Sequence, residues 1–148
     1  MIIRTYQSSD LKILVKLFYD TVHFINSKDY SKEQVDVWAS KTLDLVKWDQ
    51  SLKEHYSLVA LIDGKIVGFG DIDQTGYLDR LYVHYQYQGK GIAKAICSQL
   101  EKSVNGKITV HASITAKGFF EHRGYQVIKK QEVKRQEISL VNYVMEKV

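Results

Sequence analysis

Proline is absent from this chain of 148 residues, and cysteine occurs once, as Cys97. A single cysteine excludes an internal disulfide and fits a reducing compartment, so we expect a cytoplasmic protein. No apolar run reaches the roughly 18 residues that a membrane-spanning helix needs. The opening segment MIIRTYQSSD lacks the long apolar stretch and the cleavage site of a secretory signal. These absences predict a protein without a membrane partner.

The charge balance is only mildly basic. Lysine and arginine together number 21 against 17 aspartates and glutamates, which gives a formal charge of +4. Such an excess can favour an anionic ligand, but a slightly basic surface is its commoner meaning, and we expect no nucleic acid partner. Hydrophobic residues make up 45% of the chain. This is enough for a single domain, residues 1–148, with its own core.

Hydrophobic periodicity predicts a mixed α/β sheet. A first helix follows a cap at Ser8 or Ser9, a second begins at the capping box of Ser31, and residues 40–55 look like weaker helix and loop. Alternation and glycine turns predict the strands, at residues 2–6, 56–62, 65–72, 77–83, 108–112, 125–133 and 138–147. Two later helices are expected at residues 92–104 and 115–123. The order β-α-α-β-β-β-α-β-α-β-β implies parallel and antiparallel pairs in one sheet.

Two glycines, Gly89 and Gly91, lie one residue apart in the stretch VHYQYQGKGIA, between a predicted strand and a predicted helix. A helix N-terminus offers free backbone N–H groups, and glycine lets a pyrophosphate approach them closely. Two other phosphate-binding motifs do not fit. The upstream glycine of a Walker A loop is missing, and a dinucleotide-binding fingerprint needs a small residue at the position of Lys94. The pattern Q/R-x-x-G-x-G/A fits from Gln86 onward. A helix entry turn without a ligand is the alternative.

That pattern is typical of the GNAT superfamily of acetyltransferases, and the chain resembles this family over essentially its whole length. The segment LDRLYVHYQYQGKGIAKAI is similar to the family's acetyl-CoA segment, and FFEHRGY to its later signature. Residues 30–38 and the stretch ASITAKGFFE resemble a subgroup of small bacterial members. The resemblance implies the GNAT fold, with a mixed central sheet, and an N-acetyltransferase that takes acetyl-CoA as co-substrate.

The resemblance also implies how acetyl-CoA is held. Backbone amides of the loop and helix start bind the pyrophosphate, namely those of Gln88, Gly89, Lys90, Gly91, Ile92 and Ala93. The backbone of Leu81, Tyr82 and Val83 pairs with the pantetheine arm like an added strand, and one N–H polarises the thioester carbonyl. Ser113 stands where the family often has an asparagine that contacts the CoA arm. Phe119 and Phe120 are expected in the core, where one of them also covers the pantetheine.

A base or an anchor for the amine is expected at Asp79, because a free alkylamine is protonated at neutral pH. Asp79 lies two residues before Leu81 and should share a face with Leu81 and Val83 if no bulge intervenes. The alternative for Asp79 is a salt bridge within the sheet, for example with Arg80.

The proton donor to the leaving thiolate is where this sequence departs from the family pattern. Many GNAT enzymes use a tyrosine at the position that here holds Phe120. Ser113, Tyr125, Tyr143 or water are the possible substitutes. Ser113 is alternatively a cap for the helix that follows it. The departure at Phe120 motivates a second hypothesis, a CoA-binding sensor or partner-binding module with weak or no catalysis.

Acceptor selection in this family comes largely from the first two helices, so His23, Tyr30 and Trp38 are the substrate-side candidates, with ordinary packing as their alternative. No metal is expected, because the five histidines show no ligand spacing. Cys97 is expected to be a small buried hydrophobic residue. We therefore predict direct transfer of acetyl from acetyl-CoA to a primary amine of a small molecule or peptide. Monomer and homodimer both stay open.

Overall fold

The computed structural model describes residues 1–148 as one mixed sheet with helices on both faces. Its five α-helices are α1 Leu11–Phe24, α2 Lys32–Trp38, α3 Leu45–Glu54, α4 Ile92–Lys102 and α5 Lys117–His122. Its seven strands are β1 Ile2–Thr5, β2 Tyr56–Ile62, β3 Lys65–Ile72, β4 Tyr77–Val83, β5 Ile108–Ser113, β6 Gln126–Arg135 and β7 Ile138–Lys147. None of the helices has the length and apolarity needed to cross a bilayer.

The strand order in the sheet is β1-β2-β3-β4-β5-β7-β6, and only β4 and β5 run parallel. These two strands pair at just two positions, Tyr77 with Thr109 and Leu78 with Val110. Beyond Leu78 the strands diverge, so β4 keeps its neighbour β3 but has no partner on the β5 side. The divergence opens a gap in the middle of the sheet and leaves strand backbone available there.

Close packing of α4 on β3 brings the N-terminus of α4 to this gap. A Cβ added to Gly68 would lie 2.9 Å from Ile92 Cγ2 and 3.3 Å from the backbone oxygen of Tyr82. Only glycine lets the helix come this near to the strand. Ile92 and Ile96 are almost wholly buried against the sheet on this face, and α1, α2 and α3 cover the other face. The two hydrophobic layers thus hold the helix start in place.

Two of the local predictions are confirmed and two are corrected. The Ser31 capping box forms, with 2.8 Å from the Ser31 N–H to Gln34 Oε1. The prediction that Ser8 or Ser9 caps the first helix is wrong. Both residues lie in a 3-10 turn, and the N–H of Gln7, which precedes that turn, donates to the Asp10 carboxylate. Residues 40–55, predicted as weaker helix and loop, contain helix α3 between two loops. Helix α4 ends at Lys102, two residues before the predicted end at residue 104.

Candidate active site

The loop before α4 has the geometry of an anion site. Gly89 and Gly91 adopt left-handed backbone angles, with φ of +73° and +78°, and a Cβ at either would meet nothing within 4 Å. None of the backbone N–H groups from Gln88 to Lys94 donates to a protein acceptor. These donors gather at the positive end of α4 with open space before them, which is what a pyrophosphate needs.

Two cavities meet at the gap between β4 and β5. The loop-side cavity, of about 220 Å³, lies between these strands, α4 and α5. The aromatic cavity, of about 350 Å³, lies on the side of α1, α2, α3 and the β6–β7 hairpin. Five residues line both cavities: Trp38, Asp79, Tyr82, His111 and Ser113. The two cavities are therefore neighbours, with these five side chains at their common boundary.

Most of the residues expected at the cofactor come together. Eight of them line the loop-side cavity: Leu81, Tyr82, Val83, Gln88, Ala93, Ser113, Phe119 and Phe120. The others, Gly89, Lys90, Gly91 and Ile92, form the loop and helix start between Gln88 and Ala93. Ile92 offers only its backbone, because its side chain is buried in the core.

One backbone group expected to bind the pantetheine arm, the carbonyl of Val83, already has its hydrogen bonds within the protein. The carbonyl of Val83 accepts a hydrogen bond from Gln88 Nε2 at 2.6 Å and another from Thr21 Oγ1 at 3.1 Å. Both lone pairs of that oxygen are thus used. A ligand that pairs with β4 like an added strand can therefore bond only to the backbone from Asp79 to the N–H of Val83.

A β-bulge changes the position expected for Asp79. The register between β3 and β4 shifts between Asp71 and Ile72, which leaves Asp79 without a partner residue on β3. The extra residue breaks the alternation, so the condition under which Asp79 would share a face with Leu81 and Val83 fails. The bulge still brings Asp79 to the lining of both cavities.

The Asp79 carboxylate takes part in an ionic group on the α3 side. It lies 3.4 Å from Arg80 Nη1 and 4.0 Å from His55 Nδ1, and its side chain is 31% exposed. The salt bridge with Arg80 that the sequence offered as the alternative is therefore present. It leaves the carboxylate accessible, so a role toward a substrate amine stays a prediction.

Beneath Asp79 lies the fully buried carboxylate of Asp71. Its Oδ2 atom is 2.6 Å from Arg80 Nη1 and 2.6 Å from His55 Nδ1, and Arg80 also donates to Ser51. Burial raises the pKa of Asp71, which the hydrogen bond from His55 and the charge of Arg80 oppose. The hydrogen bond to Asp71 raises the pKa of His55, against the effect of burial. The group holds the bulge in place from below.

The ligand atoms of His55, Asp71 and Asp79 lie within 4.8 Å of one another, close enough for a metal ion. The guanidinium of Arg80 already contacts both carboxylates, however, at 2.6 Å and 3.4 Å. A permanent cation thus takes the place in which a metal would neutralise them. The absence of a metal stays a prediction.

The structure separates the candidate proton donors. Ser113 lines both cavities, and its Oγ also accepts from the Ala116 N–H at 3.0 Å. This bond closes the turn before α5, whose N-cap is Ala116 without a side-chain cap, so Ser113 does not cap the helix itself. The structure places Tyr125 away from both cavities, and its buried hydroxyl donates to Glu101 at 2.8 Å, which disfavours it as the donor. Burial also raises the pKa of Tyr125 well above its ordinary value. Tyr143 lines neither cavity.

Phe120 and Cys97 are core residues. Phe120 is 3% exposed, and its ring packs edge-on against Phe119 and Tyr125 at 5.1 Å from each. Cys97 is fully buried, and burial raises the pKa of its thiol to about 12. A thiol with that pKa is protonated near neutral pH and is a poor nucleophile.

Two of the three substrate-side candidates line the aromatic cavity, Tyr30 and Trp38. The Tyr30 hydroxyl donates to the Val141 carbonyl at 2.6 Å and accepts from the Ile114 N–H at 2.9 Å, so it is fully engaged. The position of His23 disfavours a contact with the substrate. Its Nε2 atom lies 2.9 Å from the Ala39 carbonyl, its ring stacks on Tyr19, and it lines neither cavity.

His111 and Arg135 reach the cavities although the sequence prediction did not select them. His111 lies where the two cavities join, and Arg135 lines the aromatic cavity. The alternation of β5 was available in the sequence: Val110 and Ala112 are buried against α4 and α5, which turns His111 and Ser113 to the opposite face. Arg135 was not predictable in this way, because its place depends on how the β6–β7 hairpin approaches the first helices.

Comparison with known proteins agrees with this geometry. Residues 26–147 match the model of the acetyltransferase (GNAT) domain. The chain is 37% identical to the uncharacterized N-acetyltransferase YafP of Escherichia coli strain K12, over 97% of this chain and 93% of that protein. The crystal structure of a GCN5-related N-acetyltransferase from Rhodopseudomonas palustris is 31% identical, with a TM-score of 0.95 over 99% of this chain and 94% of that one.

A more distant structure shares the fold alone. The PaiA N-acetyltransferase of Thermoplasma acidophilum, solved with coenzyme A, is 19% identical, with a TM-score of 0.78 over 99% of this chain and 97% of that one. The family match and the YafP relative each cover most of the chain. Together with the split sheet and the glycine loop, they show that the chain belongs to the GNAT superfamily and is an acetyl-CoA-dependent acetyltransferase.

Proposed function

We propose that the protein transfers the acetyl group of acetyl-CoA directly to a primary amine, with both substrates bound at once. The observation that carries this proposal is the junction of the two cavities. Acetyl-CoA occupies the loop-side cavity and the amine occupies the aromatic cavity, and five shared residues surround the point where they meet. No covalent acyl-enzyme is needed, and the cysteine that would form one is buried.

The cofactor side of the proposal rests on backbone groups. The free N–H groups from Gln88 to Lys94 hold the pyrophosphate, and the charge at the start of α4 favours that anion. The unpaired edge of β4 from Asp79 to Val83 holds the pantetheine arm and supplies one N–H to the thioester oxygen. Such a donor is most useful in the tetrahedral intermediate, where that oxygen carries the negative charge.

On the acceptor side, Asp79 binds the amine as an ammonium ion and accepts its proton, directly or through water. The neutral amine then attacks the thioester carbon, a C–N bond forms, and the C–S bond breaks. His111 also lies at the junction and has an exposed imidazole, which makes it a second acceptor for that proton. Arg80 Nη1 lies 3.4 Å from the Asp79 carboxylate, which is 31% exposed, so Asp79 can still pair with a substrate ammonium group.

The leaving CoA thiolate takes the second proton that the nitrogen loses as it becomes an amide, and Ser113 or a water relays that proton. A thiol has a pKa of about 8.5, so its thiolate is a competent leaving group and needs little help at neutral pH. This allows the family's usual tyrosine to be replaced by Phe120 without loss of the reaction. The second hypothesis, a CoA-binding sensor, is tested together with the first.

The test is a screen of amines, amino acids, peptides and aminoglycosides with acetyl-CoA, followed by the release of free thiol. We expect at least one acceptor class to be acetylated, and initial-rate lines that intersect when both substrates are varied. Parallel lines would indicate an acyl-enzyme and overturn direct transfer. A protein that binds acetyl-CoA in calorimetry but acetylates nothing in the screen is a sensor.

Replacing Asp79 with asparagine should lower kcat/KM by about 100-fold while acetyl-CoA affinity and the melting temperature stay near those of the wild type. Proton transfer and charge pairing together are worth about 10²–10⁴-fold, and the lower end applies because Arg80 already shares the charge. Asp36→Asn is the matched control, since Asp36 is exposed and lines neither cavity. A lower melting temperature with an unchanged pH–rate profile would assign Asp79 to architecture.

A Phe120→Tyr variant should change kcat by less than tenfold with unchanged acetyl-CoA affinity. The added hydroxyl restores the family's usual proton donor, but protonating a thiolate is not a difficult step. Steady-state kinetics and calorimetry measure the two quantities. A gain of more than tenfold would show that the wild type lacks an effective acid, and it would favour the sensor hypothesis.

A further inference from the structure

The lining of the aromatic cavity points to a substrate class, and this inference rests on the proposed function. We propose that the acceptor is an amine with a flat aromatic body and a carboxylate or similar anionic group. Three features carry the proposal: a wall of fixed aromatic rings, one uncommitted cation, and a single acidic residue. The cavity volume of about 350 Å³ lies within the usual range for small-molecule sites.

The aromatic wall is large and its rings hold one another in place. Six aromatic side chains line the cavity: Phe18, Tyr30, Trp38, Trp48, Tyr77 and Tyr82. The centroid of Phe18 lies 5.0 Å from Trp48 and 4.9 Å from Tyr82, and Tyr30 lies 5.2 Å from Trp38. Rings at these distances and tilted angles are well packed, so the wall is formed before a ligand arrives. An aromatic acceptor gains contact with it at little cost in ordering.

The two arginines of the lining differ in how their charge is used. Arg80 is bound to Asp71 at 2.6 Å, donates to Ser51, and lies over the Trp48 ring at 4.6 Å. Arg135 has no acidic group within 4.0 Å and makes no side-chain hydrogen bond, although it lines the same cavity. Its guanidinium is therefore free to bind a ligand anion. A carboxylate suits it, because the two groups can pair through two parallel hydrogen bonds.

Strand alternation explains why Arg135 is the residue in this position. Val133 and Arg135 both line the cavity, as residues two apart on β6 should, and Lys134 between them faces the other side of the hairpin. On β7, Asn142 adds a buried side-chain oxygen, Oδ1, that has no hydrogen-bond partner. This oxygen is closed off from the cavity, so the proposal does not depend on it.

The same lining disfavours cationic acceptors. Asp79 is the only acidic residue that faces the cavity, and Arg80 is paired with it. A polyamine or an aminoglycoside carries several positive charges and would leave all but one of them without a partner, next to Arg135. One amine at Asp79 and one anion at Arg135 match the charges that the cavity offers.

The experiment compares aromatic amines in matched pairs that differ only in the carboxylate. The pairs are L-tryptophan and tryptamine, and L-phenylalanine and phenethylamine, with spermidine as the polycation. Each is tested as acceptor by thiol release, and binding of each to the protein with CoA present is measured by calorimetry. In wild type we expect the carboxylate member of at least one pair to have a kcat/KM at least about tenfold higher, as a charge-assisted hydrogen bond provides.

The variants assign that preference to Arg135. Arg135→Glu should remove the preference by raising KM for the carboxylate member at least about tenfold, with little change for its partner amine. Lys134→Glu, the same charge change on the neighbouring residue, should leave both unchanged. The inference is overturned if the amine without a carboxylate or spermidine is preferred, if only acceptors outside the panel are acetylated, or if Arg135→Glu has no effect. If acetyl-CoA binds but no amine of any kind is acetylated, it is the proposed function that fails.

Discussion

A Gly91→Glu variant should lose measurable acetyl-CoA binding and yet remain folded. A side chain at Gly91 meets no protein atom within 4 Å, so it extends into the space that the pyrophosphate needs. Its carboxylate also competes for the free N–H groups at the start of α4 and repels the phosphates. A residue other than glycine at φ of +78° costs on the order of 1–2 kcal/mol, part of which the carboxylate recovers at the helix N-terminus. Calorimetry with acetyl-CoA and a thermal melt measure the two effects.

Gly64 provides the matched control for this variant. It has φ of +77°, a Cβ there also meets nothing within 4 Å, and it lies in the turn between β2 and β3. Gly64→Glu therefore introduces the same charge and the same backbone strain away from the loop, and its affinity for acetyl-CoA should equal that of the wild type. Unchanged binding in both variants would refute the pyrophosphate site. An equal loss in both would mean that strain, and not the site, explains the effect.

The cofactor half of the site was predictable because its chemistry is local. Gly89 and Gly91 are neighbours in sequence, and the N–H groups that they expose belong to the same short segment. A strand followed by glycines and a helix start has few possible conformations, so the turn and the helix start could be placed from the pattern. The pyrophosphate contacts of residues 88–93 came from the resemblance to the GNAT family and stay a prediction. The alternating hairpin of β2 and β3 was predictable for the same reason.

The acceptor half was not predictable, because its residues meet through long-range packing. The bulge at Asp79 depends on the register with β3, and no residue pattern within β4 indicates that a bulge forms. Tyr125 and His23 looked suitable by residue type, but burial against Glu101 and packing on Tyr19 turn them away from the cavities. Ser113 lines both cavities and also accepts from the Ala116 N–H, so residue type and strand position could not separate its two interpretations in the sequence.

Replacing Asp71 with alanine should lower the free energy of unfolding by about 3 kcal/mol at pH 6. The substitution leaves the Arg80 guanidinium, which is only 13% exposed, without its main partner, and such a loss costs about 3–5 kcal/mol. The lower end applies because Asp79 stays 3.4 Å away and compensates part of the charge. Urea denaturation with an unchanged m-value measures the loss. Asp36→Ala, which breaks a surface pair with Lys32, should leave the free energy of unfolding unchanged.

The difference between wild type and Asp71→Ala should shrink as the pH rises from 6 to 9. The hydrogen bond to Asp71 raises the pKa of His55 in the folded protein above its ordinary value of 6.5. In that range the folded state binds more protons than the unfolded state, so this contribution is complete below pH 6.5 and disappears as the pH rises through the folded pKa. The variant lacks the carboxylate that causes the shift. It also lacks the raised pKa of Asp71 itself, whose contribution to the wild type falls in the same direction as the pH rises. The lowered pKa of His84, which burial causes, is common to both proteins and cancels in the difference. A difference that stays constant or grows between pH 6 and pH 9 would show that His55 is not bound to Asp71 as a charged partner.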